Sequence, residues 1–419
     1  MKAAPHATAD PPQQLAAPRL GRDFALVFTG QAVSMQGDGL ASLALLWWIA
    51  EQTGSVALAT TLSMLSMLPV IFLGPVAGVV IDRYSRRQMM MIADILRAVF
   101  SGIVAWGIIT GNLQMWLLMV ASVVMGICRV FHRPALQAAI AQIVPEQSLN
   151  RANSLFQLAE SGANMIAPAL AGVLVAWLGS GAVMTISAAT CAFAAVTLLL
   201  AVIPPVPQGS AASAGRGTNG FFQELGAGLS YLWSGQRMLF FMLCTFALVN
   251  FALSPIGPLL PFVAQQRMGV DASGTGLLMS GLSAGMLGGA LILSAVGSRV
   301  PRGVGVIWGI AVTGLGLAVV SQMRHLAPAL AALVLAGAAV SLANVCSAGL
   351  FQTHVPKEMQ GRVFAVRGSI ALAASPLSLG LVGALSTAVA PHIILLVGGI
   401  IVAIGGFLGY AVPGLRMAK

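Results

Sequence analysis

The sequence predicts an all-α integral membrane protein with twelve transmembrane helices in two six-helix pseudo-repeats. Three observations lead there. Of 419 residues, 58% are hydrophobic and only 8% charged, against about 25% charged in soluble domains. The apolar residues gather into about twelve runs, each long enough to cross a bilayer. The two halves of the chain also echo one another in short motifs. The 48 glycines suit the close helix packing that holds such bundles together in lipid.

In chain order, residues 1–22 are rich in Pro, Ala and Gln and lack an apolar core, which predicts a disordered tail and not a cleaved leader. The runs then fall near 24–50, 56–81, 88–110, 113–132, 155–178 and 182–203, giving an N-terminal six-helix bundle over 23–203. Residues 204–236 form a linker. It opens with PPVPQGSAASAGRGTNG, and Phe221, Phe222, Leu225, Leu229 and Leu232 then take the spacing of a short amphipathic surface helix. The second bundle, 237–412, has runs near 237–265, 275–297, 303–323, 328–350, 366–389 and 392–412, followed by a tail over 413–419.

The net charge of +10 does not point to nucleic acid, because the basic residues sit in short loops between apolar runs. Connections after even-numbered runs carry Arg83, Arg86, Arg87, Arg133, Arg151, Arg216, Arg237, Arg299, Arg302, Lys357 and Arg362, whereas 111–112, 179–181 and 390–391 carry no Lys or Arg, and Arg267 and Arg324 are the minority on the other side. The positive-inside rule therefore places both termini and the even loops in the cytoplasm of a multi-pass inner or plasma membrane protein. Cys128, Cys191, Cys244 and Cys346 all lie in apolar runs without ligand spacing, so neither a metal site nor a disulfide is expected. No nucleotide-binding loop or nucleophile–base pair appears, so neither an enzyme nor a cofactor is expected. The expected partners are a small-molecule substrate, protons and membrane lipids, with the chain acting as a monomer.

The internal repeat is legible in three places. IVPEQSLNRA at 143–152 aligns with HVPKEMQGRV at 354–363, an offset of 211. Pro168 and Gly172 align with Pro376 and Gly380 at an offset of 208, and DRYSR at 82–86 aligns with SRVPR at 298–302. Repeats of this kind build secondary transporters, with the substrate site between them near the bilayer midplane.

The first run contains an acid at its centre, Asp38, flanked by Gly37 and Gly39. A mid-membrane acid costs roughly 2.5–3.5 kcal/mol on the insertion scale, and Gln31, Ser34, Asp38 and Ser42 share one helical face. That stripe fits a wet cavity between helices. Asp38 reads either as a site that loads and releases a proton or as a structural acid bonded to a neighbouring helix. Asp94 and Glu160 complete the intramembrane acids, and the second six runs contain none. Asp94 has Arg97 three residues on, close enough for an intrahelical pair, which leaves a structural and a coupling role both open. Arg129 is a partner for Glu160 or for Asp94. Gln31, Ser34, Asn164, Asn250 and Asn344 are the polar cavity candidates, with Met64, Met67, Trp47 and Trp48 as apolar lining or, more simply, lipid-facing or packing residues, the two tryptophans being candidates for the outer belt. The seventh run, with Asn250, Ser254, Pro255, Pro258 and Pro261, should be kinked or broken. His132 and His354 adjoin loops and read as surface residues.

The stretch GVVIDRYSRR, with Gly78, Asp82, Arg83, Arg86 and Arg87, resembles the signature loop of the major facilitator superfamily. GQAVSMQGDGL, ADILRA, FHRPALQAAIAQIVPEQSLNRAN and MQGRVFAVRGS resemble that superfamily's branch of macrolide-efflux and enterobactin-export proteins. The resemblance implies alternating access and export of a lipophilic or amphipathic molecule in exchange for protons. It also implies a signature loop that governs the switch between inward- and outward-open states. Gly78 would admit a neighbouring backbone, Asp82 would cap a helix of the other half, and the arginines would hold carboxylates or lipid phosphates. Fixing topology is the plainer role for those arginines. GANMIAPALAG similarly resembles the antiporter motif of proton-driven exporters, or else lets its helix pack against the mirrored Pro376 helix. A dedicated siderophore or secondary-metabolite exporter and a lysophospholipid transporter are the alternative functions.

Overall fold

A computed structural model of the chain describes residues 20–204, 226–233, 237–296, 301–412 and 414–417. The N-terminal bundle comprises α1 (Arg22–Thr53), α2 (Val56–Arg83), α3 (Arg86–Ile109), α4 (Met115–Ile143) and α5 (Leu149–Leu200). The short α6 (Gly226–Trp233) precedes the second bundle. That bundle comprises α7 (Arg237–Leu253), α8 (Ile256–Val263), α9 (Ala272–Val296), α10 (Arg302–Gln322), α11 (Leu326–His354), α12 (Lys357–Leu385) and α13 (Pro391–Leu408). Among the described residues, nine helices, or ten with a bent pair, are long and apolar enough to cross a membrane. Helix α5 holds two expected spans, because Gly179 (φ 82°, ψ 160°) breaks it where the uncharged connection was expected. Only glycine adopts that backbone conformation without strain. With α5 counted twice and α7–α8 as one broken span, the architecture fits twelve crossings. The seventh run breaks at Ser254–Pro255, as its prolines predict.

Where both copies are described, matching positions of two duplicated motifs share their backbone conformation. Val144 and Val355 are both extended C-caps, followed by Pro145 (φ −55°, ψ 144°) and Pro356 (φ −54°, ψ 143°). Ser85 (φ −61°, ψ 119°) and Pro301 (φ −57°, ψ 124°) each introduce a helix that begins with an arginine. At the opposite end of the molecule, Asp271 Oδ1 accepts hydrogen bonds from Gly274 N (3.0 Å) and Ser273 Oγ (2.6 Å) ahead of α9. These donors hold its carboxyl below the usual carboxylate range.

The halves meet along two seams, α5 with α9 and α2 with α12. This corrects the expectation that the Pro168 helix packs against the Pro376 helix. Pro168 and Gly172 of α5 face Gly276 and Ala272 of α9, while Gly380 and Gly383 of α12 face Met64 and Thr60 of α2. The repeat axis pairs each helix with a different mirrored partner because both proline helices flank the interface. Ser280 Oγ accepts from Ala169 N at 2.9 Å across the first seam. A Cβ at Gly276 would overlap the Pro168 carbonyl oxygen, whereas one at Gly288 meets nothing within 4 Å. Gly276→Val is therefore expected to lower the melting temperature of the purified protein by the equivalent of about 1–3 kcal/mol, with Gly288→Val as the unchanged control. Equal melting of the two variants would show that the seam tolerates a spacer. The Gly281–Gly285–Gly289 ridge of α9 lies on α11, where Val334 and Ala338 approach its backbone.

One apolar cluster joins the halves. Leu43, Leu46, Trp47, Ala50, Ala171 and Val175 pack with Leu259, Phe262, Ala272 and Val382. All lie towards the end of the bundle away from the basic loops. The clusters nearer the basic end stay within one half each. The two bundles are thus sealed together at one end and separate at the other. Trp47 is buried in the seal, the packing role, and the partly buried Trp48 packs against it. Trp106, Trp116 and Trp177, near that end, are exposed.

Candidate functional site

Between the halves lies a cavity of about 1260 Å³. Its N-terminal wall comes from α1, α3, α4 and α5 and its other wall from α7, α8 and α9. Residues such as Arg133, Gln137, Asn153 and Gln157 line it towards the basic end, where the halves separate. The stripe on α1 faces this space: Gln31, Ser34, Asp38 and Ser42 all line it, as does Asn164 of α5. Asn250 and Asn344 do not. Asn250 Nδ2 donates to the Phe246 carbonyl of its own helix at 2.9 Å, and Asn344 borders a separate small void inside the second bundle. The period of a helix fixes a shared face but not which neighbour that face meets. Met64, Met67, Trp47 and Trp48 are also absent from the wall, whose methionines are Met35, Met279 and Met286.

The acids are held by arginines. Arg97 Nη1 donates to Asp94 Oδ1 at 2.8 Å, the expected i,i+3 pair, and its Nη2 contacts Asp38 Oδ1 of α1. One guanidinium is therefore shared by two carboxylates. Gln31 Nε2 donates to the other Asp94 oxygen at 2.9 Å. Asp94 is fully buried, whereas the Asp38 side chain is 56% exposed to the cavity. The acid deepest in the protein is Asp94, and the one in contact with the cavity is Asp38. Ser34 shares its position with the buried thiol of Cys191, 3.7 Å away.

Two residues differ from expectation here. His132 is not a surface residue: its side chain is 12% exposed and its Nε2 lies 3.3 Å from Asp94 Oδ1. That nitrogen is within ion-pair distance but is not aligned as a hydrogen bond. Arg129 pairs with neither Glu160 nor Asp94. Arg133, one turn nearer the basic end, takes Glu160 instead, with Nη2 at 2.9 and 3.1 Å from the two carboxylate oxygens. Glu160 sits level with Arg133 at the cavity mouth, a depth that linear spacing cannot show.

The signature loop is also partly reassigned. Arg86 donates to the Ala138 carbonyl (3.1 Å), and Arg87 donates to the carbonyls of Leu198 (2.7 Å) and Leu199. Both arginines therefore tie α3 to neighbouring helices within their own half and hold no carboxylate among the described residues. A cation at the last carbonyls of α5 also suits the negative end of that helix. Arg83 is exposed, and a Cβ at Gly78 would meet nothing within 4 Å, so among the described residues no backbone of the other half packs against that face of the glycine. The Asp82 side chain and the start of the amphipathic stretch, with Phe221, Phe222 and Leu225, lie outside the described residues. Of that stretch, Leu232 is buried against α7 and Leu229 is exposed.

Two helical bundles sealed at one end, open at the other and lined with a polar stripe have the architecture of a multi-pass membrane transporter. The profile of the Major Facilitator Superfamily matches residues 27–378 and 254–416, and the chain belongs to that family. It is 26% identical to macrolide efflux protein A of Streptococcus pyogenes, over 85% of this chain and 87% of that protein. It is likewise 26% identical to the multidrug efflux pump Tap of Mycobacterium tuberculosis (strain ATCC 25618 / H37Rv), over 93% of both. Among solved structures, the nucleoside transporter NupG superposes with a TM-score of 0.71 at 13% identity, covering 95% of this chain and 100% of that one. A bacterial homologue of the iron transporter ferroportin, in its inward-facing state, gives 0.69 at 15% identity, over 94% and 100%.

Proposed function

We propose that the protein exports a lipophilic or amphipathic, drug-like small molecule from the cell by alternating access, in exchange for protons. The observation that carries this reading is the Asp38–Arg97–Asp94 triad in the wall of a cavity sealed at one end. Asp38 is the only member of the triad with substantial exposure to the cavity, so it is the group that exchanges its proton with the water or substrate there. When Asp38 is ionised it competes with Asp94 for Arg97. When it is protonated, Arg97 remains with Asp94 and α1 is released from that tie. A proton can in this way change how α1 is held, and a charge-neutral α1 face suits the rearrangement that opens the apolar seal.

The basic loops face the cytoplasm in this reading, with both termini on that side of the inner or plasma membrane, so the cavity is loaded from within. The efflux functions in the two relatives' names support the outward direction. The unengaged Gly78 suits a signature loop that closes on the other half only when the cavity faces outward.

Proteoliposomes holding the purified chain provide the test. With the lumen acidic and the basic-loop face of the protein outside, labelled macrolide or cationic dye is expected to accumulate in the lumen against its concentration gradient as protons leave, and collapse of the gradient with a protonophore should stop it. Movement that ignores the pH gradient for every substrate would remove the antiport mechanism.

A further inference from the structure

Among the described residues, one cation in the cavity wall has no anionic partner. Asp38 and Asp94 share Arg97, and Glu160 is held by both oxygens on Arg133. Arg129 lines the same space, is exposed, and has no ion pair or hydrogen bond among the described residues. It stands one turn of α4 deeper than Arg133, about 6 Å along the axis. On α5, the residue one turn deeper than Glu160 is Asn164, which also lines the cavity. The Arg133–Glu160 rung is thus followed by a second rung in which an amide occupies the carboxylate's place. Opposite it, Leu253, Ile256, Leu260, Met279, Leu282 and Met286 form an almost wholly apolar wall.

We infer that Arg129 is a recognition site for an anionic head group, carboxylate or phosphate, on an amphipathic substrate whose apolar body lies against α8 and α9. The inference rests on the export reading and narrows its substrate class. A guanidinium binds either head group through two parallel N–H donors, and the low dielectric of the apolar wall strengthens that bond. At about 1260 Å³ the space exceeds the roughly 300–1,000 Å³ of ordinary small-molecule pockets, so an elongated amphipath fits.

The test uses the full-length protein in phosphatidylcholine nanodiscs, titrated with 11-(dansylamino)undecanoate and with its methyl ester. Wild type should bind the acid at least tenfold more tightly than the ester. Arg129→Gln should weaken the acid about 10–100-fold and leave the ester unchanged, which also reports that the variant is folded. Arg129→Lys should recover part of the loss. If phosphatidylglycerol in the nanodisc competes with the acid in wild type but not in Arg129→Gln, the head group recognised includes that of a lipid. If it does not compete, the site selects free amphipaths. Equal binding of acid and ester by wild type, or equal weakening of both by Arg129→Gln, overturns the inference. The two readings fail separately. Proton-driven export of a cationic dye that persists without any acid preference leaves export standing and removes the anion site. A clear acid preference without any proton-driven transport does the reverse.

Discussion

Asp38→Asn is expected to retain the fold and lose proton-driven transport, with initial rates in proteoliposomes falling at least tenfold. Asparagine keeps the shape of the side chain and can still face Arg97, but it cannot take up or release a proton. The exposed position of Asp38 beside two enclosed partners makes the variant informative. Its removal takes away the group open to the cavity and leaves the Arg97–Asp94 pair intact. Substrate exchange without a gradient should persist, because that process requires no net proton movement. Full-rate uphill transport by the variant would assign coupling to another group, with Glu160 at the mouth and the enclosed Asp94–His132 pair as the remaining titratable groups.

Arg97→Ala should be the most destabilising single change in the site. It leaves Asp94 fully buried, with Gln31 as its remaining hydrogen-bond donor and His132 nearby. Breaking a buried pair by removing one partner costs about 3–5 kcal/mol, because the other charge stays enclosed and uncompensated. The melting temperature of the purified variant should fall accordingly, and the double variant Arg97→Ala/Asp94→Asn should recover much of the loss. A single variant that melts with wild type would mean that Asp94 is already neutral in the folded protein. The Asp38→Asn variant provides the contrast, since its side chain is more than half exposed and its loss strands no buried charge.

Much of the site was legible in the sequence, for reasons of helical geometry. Gln31, Ser34, Asp38 and Ser42 had to share a face, and Asp94 and Arg97 had to lie within reach of each other, because spacings of three and four fix both. The repeated Val-Pro turns were legible because proline restricts its own backbone and that of the residue before it. The partners of Glu160, Arg86 and Arg87 were not. Each depends on the depth and rotation of a second helix. One turn of difference replaced Arg129 with Arg133, and the arginines of the signature loop found carbonyls in their own half. His132 could be placed next to a loop from sequence but not beside Asp94, since α4 continues past it to Ile143.

The sequence by itself determined that this chain spans a membrane many times, that it is a doubled unit, and that its first half holds all the intramembrane acids. Those properties follow from local hydropathy, periodicity and charge. The tertiary structure alone decided that α5 meets α9 and α2 meets α12, that the cavity is sealed at one end, and that Arg129 has no ionic partner among the described residues. Such facts arise where helices distant in the chain approach to within a few ångströms. The close approach of Gly276 to Pro168 and the sharing of Arg97 between α1 and α3 are both of this kind. Hydropathy sends a helix into the bilayer, but only packing against its neighbours sets its depth and rotation.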